Sequence, residues 1–174
     1  MTRFAPTAVL AACGTVLLAG ALATPAMAET ARASSPASST LAVAKLTQSQ
    51  AEARLRAAGI SWTSSGHCTN RNHSNCTSFE QINVSTVNGI ITFKRASGCS
   101  ITITGGTETG HASGSKSHWN GYKVDVNPTA CVTDYIKRNF KYIGQRGDGA
   151  AQYQSSAGNI YARESTHWDI TYQA

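Results

Sequence analysis

Two short segments of this chain carry side chains that together could bind a metal ion and activate water. The first contains His118 and Asp125, and the second contains Glu164 and His167. Two imidazoles and one carboxylate can supply three ligands to Zn²⁺ and leave its fourth tetrahedral position open, which is typical of hydrolytic rather than structural zinc. The remaining carboxylate, Glu164, stands three residues before His167 and could act as a general base on water. The pattern therefore predicts a metallopeptidase.

Both segments resemble motifs of a known enzyme family. Residues 118–125 match the H-x-x-G-x-x-x-D part of the motif S-x-H-x-x-G-x-x-x-D, and residues 164–167 match E-x-x-H. These motifs are similar to those of the D-alanyl-D-alanine metallopeptidases, peptidase family M15, whose wider relatives include the L-alanyl-D-glutamate endopeptidases of phage lysins. The resemblance covers roughly residues 79–170. It implies that the zinc ligands are His118, Asp125 and His167, with Glu164 as the catalytic base.

Two positions depart from the family pattern. Lys116 stands where the motif has its serine. The family often carries an arginine shortly after the first strand, in a G-Y-R-like sequence that resembles a stabiliser of the oxyanion or of the substrate carboxylate. Here that stretch is Gly106-Thr107-Glu108, and an acid that faced the cleft would repel the carboxylate of a C-terminal D-Ala. We expect His111 or Lys116 to take the electrophilic role, because either can donate a hydrogen bond to a developing oxyanion.

The N-terminal 28 residues indicate export. Arg3 provides a short positive region, residues 5–23 are mostly apolar and uncharged, and the triplet A-M-A at 26–28 fits a signal-peptidase site. We therefore predict a signal peptide at 1–28 and a secreted protein, extracellular or associated with the cell wall, without stable membrane insertion. Two alternatives stay open: a retained membrane anchor, and a lipoprotein modified at Cys13, although the apolar run continues well past that cysteine.

The cysteines agree with an oxidising compartment. Removal of the signal peptide takes away Cys13, leaves four cysteines and still leaves enough chain for one domain with a core. An even number of cysteines in an exported chain is typical of disulfides, and four allow three connectivities. We favour the pairs Cys68–Cys76 and Cys99–Cys131. The alternative, a thiolate metal site, has no C-x-x-C spacing to support it.

The charge pattern bears on the partners. The chain has 15 Lys+Arg and 9 Asp+Glu, which gives a formal net charge of +6. The positive residues are scattered, and the longest basic runs are pairs such as Lys94-Arg95 and Lys137-Arg138, so we predict no nucleic-acid-binding surface. A mild basic excess suits long-range attraction to a polyanionic cell wall, and ordinary solubilising charge explains it equally well.

The remaining pattern predicts the elements that position these side chains. Residues 29–45 are rich in Ala, Ser and Thr, which indicates a flexible linker or short pro-segment, and we expect order from Thr47 onwards. Apolar periodicity and caps predict helices at 48–58, at 79–97 with Thr77 or Ser78 as the cap, and at 129–140. Alternating residues predict strands at 60–62, 101–104, 122–126, 161–164 and 167–172. Glycine-rich loops are expected at 105–120 and 144–158.

Side-chain alternation predicts where the strands aim the candidate residues. In the strand at 122–126, Val124 should face the core and Asp125 should face the opposite way, towards a cleft. A regular strand would point Glu164 and His167 to opposite faces, so residues 165–166 must form a bulge or tight turn. Asp169 shares the face of His167, and we expect it to accept the second ring N–H of that histidine, with an ordinary exposed acid as the alternative.

Trp119 and Trp168 each follow a proposed histidine ligand. Both could wall the substrate cleft and exclude water, while packing in the core is the alternative for either tryptophan.

Together these features predict an α+β domain at 46–174. We expect a small, mainly antiparallel sheet with flanking helices and a zinc site at the sheet face, as the resemblance to hedgehog and D,D-peptidase folds implies. The expected function is that of a monomeric secreted zinc peptidase acting on peptidoglycan stem peptides, as a D,D-carboxypeptidase or a related endopeptidase.

One alternative is a secreted cell-wall-binding protein that keeps the fold without turnover, which would not need Glu164 as a base. Another is a disulfide-stabilised inhibitor or toxin-like protein, for which the motif pair would be coincidence.

Overall fold

The computed structural model describes residues 43–173. The expected signal peptide at 1–28, its alternative lipidation site at Cys13 and the expected linker up to residue 42 lie outside these residues. The last residue of that linker, Lys45, lies in the first strand, two residues before the expected start of order. No helix within 43–173 is long and apolar enough to cross a membrane.

The described chain contains three helices and nine strands. The helices are α1 (Gln48–Ala57), α2 (Val84–Ser97) and α3 (Ala130–Asn139). The strands are β1 (Lys45–Leu46), β2 (Ser61–Trp62), β3 (Ile82–Asn83), β4 (Thr102–Gly105), β5 (Lys123–Val126), β6 (Lys141–Gln145), β7 (Ala151–Gln154), β8 (Ile160–Arg163) and β9 (Trp168–Thr171).

Seven of the strands form one sheet, in the order β2-β4-β5-β9-β8-β7-β6. Strands β2 and β4 are parallel, and every other pair of neighbours in this sheet is antiparallel. Strands β1 and β3 form a separate antiparallel pair. The predicted α+β class with a mainly antiparallel sheet is therefore confirmed.

Helix α1 lies close to its predicted position because its ends are encoded locally. Thr47 accepts a hydrogen bond from the backbone of Gln50, and the Gln50 side chain accepts one from the backbone of Thr47. This reciprocal pair satisfies two N–H groups that have no partner inside the helix. Gly59 follows the helix with a left-handed φ of 67°, which a glycine adopts without strain.

Helix α2 begins later than its sequence predicts. Neither expected cap, Thr77 or Ser78, lies at the helix N-terminus, because Gln81 adopts a positive φ of 63° and the helix begins at Val84. Ile82, which we expected inside the helix, lies in β3 and pairs with β1. It is fully buried all the same. The apolar periodicity therefore predicted correctly that Ile82 is buried, but it predicted the helix correctly only from Val84 onwards.

The prediction of a loop throughout residues 144–158 is also wrong. Strand β7 lies inside this segment, and β6 ends inside it. The two strands form an antiparallel hairpin at the edge of the sheet. The sequence prediction failed here because β6 is mostly exposed and lacks the apolar alternation of a strand with one buried face.

The core lies on one face of the sheet, against the helices. Val124 and Val126 of β5 and Ile170 of β9 are fully buried in one apolar cluster with Val87 of α2. Asp125 lies between the two valines in sequence and therefore projects from the other face, as predicted. The face that does not contact the core is thus available for polar chemistry.

Both predicted disulfides are present. Cys68–Cys76 closes the polar loop after β2, and Cys99–Cys131 joins the segment after α2 to the first turn of α3. Intact-mass analysis should accordingly find the native chain four hydrogens lighter than its reduced form.

Replacing Cys99 and Cys131 together by alanine should lower the free energy of unfolding by about 2–4 kcal/mol, because the bond restricts the unfolded chain. The sequence separation is 32 for this bond and 8 for Cys68–Cys76, so the second pair should contribute less. Urea unfolding of the two double variants, side by side, measures both effects. A larger loss from the shorter loop would contradict the argument.

Candidate metal centre

The Asp125 carboxylate lies at the centre of the candidate site. It is 4% exposed and projects from β5 on the face away from the core. Gly105 is its partner on β4, and a Cβ at Gly105 would lie 2.5 Å from Asp125 Oδ2, so a glycine leaves room for the acid. Two imidazole nitrogens, His118 Nε2 and His167 Nε2, each lie 3.3 Å from Asp125 Oδ1.

His118 is held by a backbone contact. Its side chain is buried, and its Nδ1 atom lies 2.6 Å from the carbonyl oxygen of Gly106. A carbonyl oxygen only accepts hydrogen bonds, so Nδ1 must carry the proton of this bond. In the neutral imidazole the Nε2 lone pair then faces Asp125, which is the orientation of a metal ligand.

A tight turn brings the second motif to the same place. The backbone N–H of Glu164 donates to the carbonyl oxygen of His167 at 3.0 Å, which closes a turn over residues 165–166 between β8 and β9. The two side chains consequently lie on one side, with Glu164 Oε2 3.3 Å from His167 Nε2. The expected turn is confirmed. The Nδ1 atom of His167 lies 3.0 Å from Thr166 Oγ1.

A third histidine, His111, approaches from the loop between β4 and β5. Its Nδ1 lies 3.7 Å from Asp125 Oδ2, and its ring stacks on that of His118 with centroids 3.8 Å apart and an interplanar angle of 15°. The ligand atoms of His111, His118 and Asp125 all lie within 4.8 Å of one another, so this group could hold a metal ion. His167 is not part of this compact group, so His111 rather than the expected His167 is the third residue that lies within this distance of both His118 and Asp125.

Unsatisfied polar atoms provide a test of whether a metal ion fits. Within residues 43–173, the buried Oδ1 atoms of Asp125 and Asp169 have no hydrogen-bond partner. They lie 3.3 and 3.9 Å from His118 Nε2. Buried acceptor atoms without a donor are costly, and either a bound cation or a proton on His118 Nε2 removes that cost. Ligands about 2.0 Å from a tetrahedral zinc ion are about 3.3 Å apart, so the residues present fit a metal ion.

The surrounding charges favour a proton on His118 when no metal competes for it. Burial lowers the pKa of His118, but the carboxylates of Asp125 and Asp169 outweigh burial and raise it overall. Burial raises the pKa of Asp125, but the neighbouring imidazoles, His118 first, lower it overall. A metal ion must therefore displace a proton, so its binding should weaken as the pH falls.

Arg146, in the turn between β6 and β7, connects the acids of the site. Its Nη1 donates to Asp169 Oδ2 at 2.8 Å, and its Nη2 donates to Glu164 Oε1. It also binds Asp148, whose carboxylate is the main cause of a raised pKa for Arg146 and whose own pKa falls to about 2. The sequence analysis missed Arg146 because it missed the hairpin. The dipeptide Asp148-Gly149, a common hairpin turn, was the available signal.

Asp169 does not accept a hydrogen bond from His167, contrary to expectation. It accepts from Lys123 Nζ at 2.7 Å and from Arg146. The two ring nitrogens of His167 lie elsewhere, because Nδ1 is 3.0 Å from Thr166 Oγ1 and Nε2 is 3.3 Å from both Asp125 Oδ1 and Glu164 Oε2.

The two tryptophans differ from each other. Trp168 is fully buried and donates to Thr133 Oγ1 at 3.1 Å, so it is a core residue rather than a wall of the cleft. Trp119 is 45% exposed, lies under the Arg71 guanidinium at 3.7 Å from its ring centroid, and lines a small hollow that also includes His111. Only Trp119 is therefore positioned to contact a ligand near the site.

His111, His118 and His167 line a cleft of about 540 Å³. The imidazole and charged side chains that line it are His111, His118, Lys123, Arg146, Asp148, Glu164, His167 and Asp169. Both sequence motifs are therefore present at one cleft. No protein-family model matches the chain, and no match is found among curated proteins or solved structures. Function must accordingly be argued from the chemistry of this site.

Arg146→Met should lower the free energy of unfolding by about 1.5–3 kcal/mol, because it removes one charged hydrogen bond from the buried Asp169. Arg138→Met is the matched control: its pair with Asp134 is exposed, with 77% and 57% of the two side chains accessible, and should contribute about 0–1 kcal/mol. Denaturant unfolding of both variants gives the comparison. Equal effects would show that Arg146 is not needed to compensate the buried acid.

Proposed function

We propose that the protein is a secreted zinc peptidase of the M15 type that hydrolyses an amide bond in peptidoglycan stem peptides. The observation that carries the proposal is the Asp125 oxygen that lies 3.3 Å from two imidazole nitrogens, with the Glu164 carboxylate 3.3 Å from the second of them. Two disulfides within the described residues support export to an oxidising compartment. The resemblance of the two motifs supports the substrate class.

The ligands in this proposal are His118, Asp125 and His167. Two imidazoles and one carboxylate suit Zn²⁺, which accepts nitrogen and oxygen donors in tetrahedral geometry. His118 is preferred to His111 as the ligand in the stacked pair, because its Nδ1 is fixed by a carbonyl and its Nε2 is the nearer nitrogen to Asp125. A bound zinc ion would supply Lewis acidity and allow water to act as a nucleophile near neutral pH.

Glu164 is proposed as the general base. Arg146 holds its Oε1 atom, so Oε2 is the oxygen left to accept a proton, and Oε2 lies beside the ligand His167. This oxygen would take the proton of the attacking water and pass it to the nitrogen of the leaving amine. The guanidinium thus fixes the position of the base without occupying the oxygen that reacts.

The charges of the cleft favour cleavage within a peptide over removal of a C-terminal residue. A free substrate carboxylate needs an available cation, but Arg146 already binds three carboxylates and Lys123 binds Asp169. We therefore propose an endopeptidase in preference to a D,D-carboxypeptidase. The helices on one sheet face and the centre on the other support the hedgehog and D,D-peptidase-like architecture that the motifs imply.

One observation favours a second function, that of a cell-wall-binding protein without turnover. Glu164 forms an ion pair with Arg146, and a carboxylate that is committed to a cation in this way can have a structural role alone. Such a protein would bind metal and muropeptide and release no product. Mass spectrometry of peptidoglycan fragments after incubation with the zinc-loaded protein separates the two functions.

The protein should bind one Zn²⁺, and His118→Ala, Asp125→Ala and His167→Ala should each sharply weaken that binding, because each removes one proposed donor. His73→Ala, in the disulfide-closed loop, is the matched control and should retain the metal. Elemental analysis after dialysis against a weak chelator gives the stoichiometry. Undiminished zinc in all three site variants would exclude this ligand set.

Glu164→Gln should keep zinc and fold normally, yet lose about 10²- to 10⁴-fold in turnover, because an amide cannot take the proton of water. Zinc content and cleavage of one muropeptide are measured together, with His167→Ala as the variant that should lose both. A Glu164→Gln protein that cleaves at the wild-type rate would eliminate this mechanism. Loss of zinc together with activity would make Glu164 a fourth ligand and indicate a closed, structural site.

A further inference from the structure

We propose that the buried Glu108 and the partly exposed His111 form a brace that positions the metal-binding side chains of His118 and Asp125 and thereby sets the affinity for metal. The inference depends on the proposed function only for the identity of the metal ligands. It assigns a role to Glu108, the acid that stands where the resembling family often has an arginine. His111 is outside the proposed ligand set of His118, Asp125 and His167, so within that set both brace residues act through the ligands and are positioning residues.

The brace begins with the fixation of Glu108 by the backbone. Glu108 is 2% exposed, and its carboxylate accepts hydrogen bonds from the backbone N–H of Ser78 at 2.7 Å and of Gly106 at 2.9 and 3.1 Å. Burying a carboxylate is costly unless such partners satisfy its oxygens. Its position is therefore defined by three contacts, and it does not line the main cleft, where it would repel a substrate carboxylate.

Glu108 in turn fixes the ring of His111. Glu108 Oε1 lies 3.1 Å from His111 Nε2. An ionised carboxylate only accepts hydrogen bonds, so Nε2 carries the proton and Nδ1 is the nitrogen directed at Asp125, 3.7 Å from its Oδ2 atom. The same ring lies against His118, 3.8 Å between centroids. One anchored imidazole thus contacts two of the three proposed ligands.

Gly106 closes the network from the other side. Its N–H donates to Glu108, and its carbonyl oxygen accepts from His118 Nδ1 at 2.6 Å. A Cβ at this position would lie 2.0 Å from the carbonyl oxygen of Ser78, so only glycine allows this approach. Glu108 therefore contacts His111 directly and binds the N–H of the same glycine whose carbonyl oxygen holds His118. Outer partners of metal ligands of this kind typically contribute about 10- to 100-fold in metal affinity.

The test measures the zinc affinity of the metal-free protein by competition with a chelator of known affinity. Glu108→Gln removes the charge at nearly constant size, and His111→Phe keeps a ring against His118 but removes both nitrogens. Each should weaken zinc binding about 10- to 100-fold. Because the two residues act through each other, the double variant should bind zinc no more weakly than the weaker single variant.

Two matched controls separate positioning from general stability. Glu80→Gln alters a carboxylate that also accepts a backbone N–H, that of Gln48 at 2.7 Å, but that does not line the cleft. His73→Phe makes the same change as His111→Phe in the loop closed by Cys68–Cys76. Both controls should retain wild-type zinc affinity and the wild-type absorption bands of bound Co²⁺, whereas the two brace variants should shift those bands.

Each outcome decides one question. Wild-type affinity and cobalt spectra in both brace variants would overturn the brace, as would losses that add in the double variant. If Glu108→Gln does not fold, His111→Phe still decides: a loss of about 10- to 100-fold in zinc affinity supports the brace, and wild-type affinity overturns it. A loss of zinc as complete as in His118→Ala would make His111 a ligand and would overturn the brace as well. A wild-type protein that binds zinc but cleaves no peptide would refute the peptidase and leave the brace intact. A wild-type protein that binds no metal would refute both.

Discussion

Two buried aspartates face each other across neighbouring strands, and the charges of the centre follow from that pairing. Asp125 on β5 is directly opposite Asp169 on β9, and the two are 4% and 5% exposed. Like charges in opposed positions destabilise a sheet, and buried carboxylates require partners. Lys123 and Arg146 satisfy one oxygen of Asp169, while one oxygen of each acid is left facing His118. A cation at that position completes the balance.

The core makes this costly arrangement possible because the sheet has two different faces. Val124 and Ile170 alternate with the two aspartates along β5 and β9 and bury the opposite face against the helices. Apolar burial contributes about 1.5–3 kcal/mol for each such side chain, which offsets the acids on the other face. In the hairpin β6–β7, β6 is mostly exposed while β7 is half-buried and packs Tyr153 against the core. The turn of this hairpin supplies Arg146 to the site.

Features that depend on neighbouring residues in the chain could be predicted from the sequence. The capping of α1 by Thr47, the alternation that aims Asp125 away from the core and the turn between Glu164 and His167 all depend on a few neighbouring residues. The direction of Glu108 and the partners of Asp169 depend on Ser78, Gly106 and Arg146, which strand register and a hairpin bring from elsewhere in the chain. Neither composition nor spacing encodes such contacts. The predicted start of helix α2 was wrong for the same reason, because pairing with β1 keeps Ile82 in an extended conformation.

Two separate networks hold the two halves of the site, and this separation favours a catalytic centre over a structural one. The proposed brace of Glu108 and His111 contacts two of the proposed ligands, His118 and Asp125. Arg146 contacts Glu164 and Asp169 and donates to none of the proposed ligands. A structural metal site needs only its ligands and their direct partners. A hydrolytic site needs in addition an acid that is fixed beside the metal without binding it, because that acid must keep an oxygen free for proton transfer. Arg146 meets this requirement, since it holds one oxygen of Glu164 and leaves the other at the edge of the ligand set.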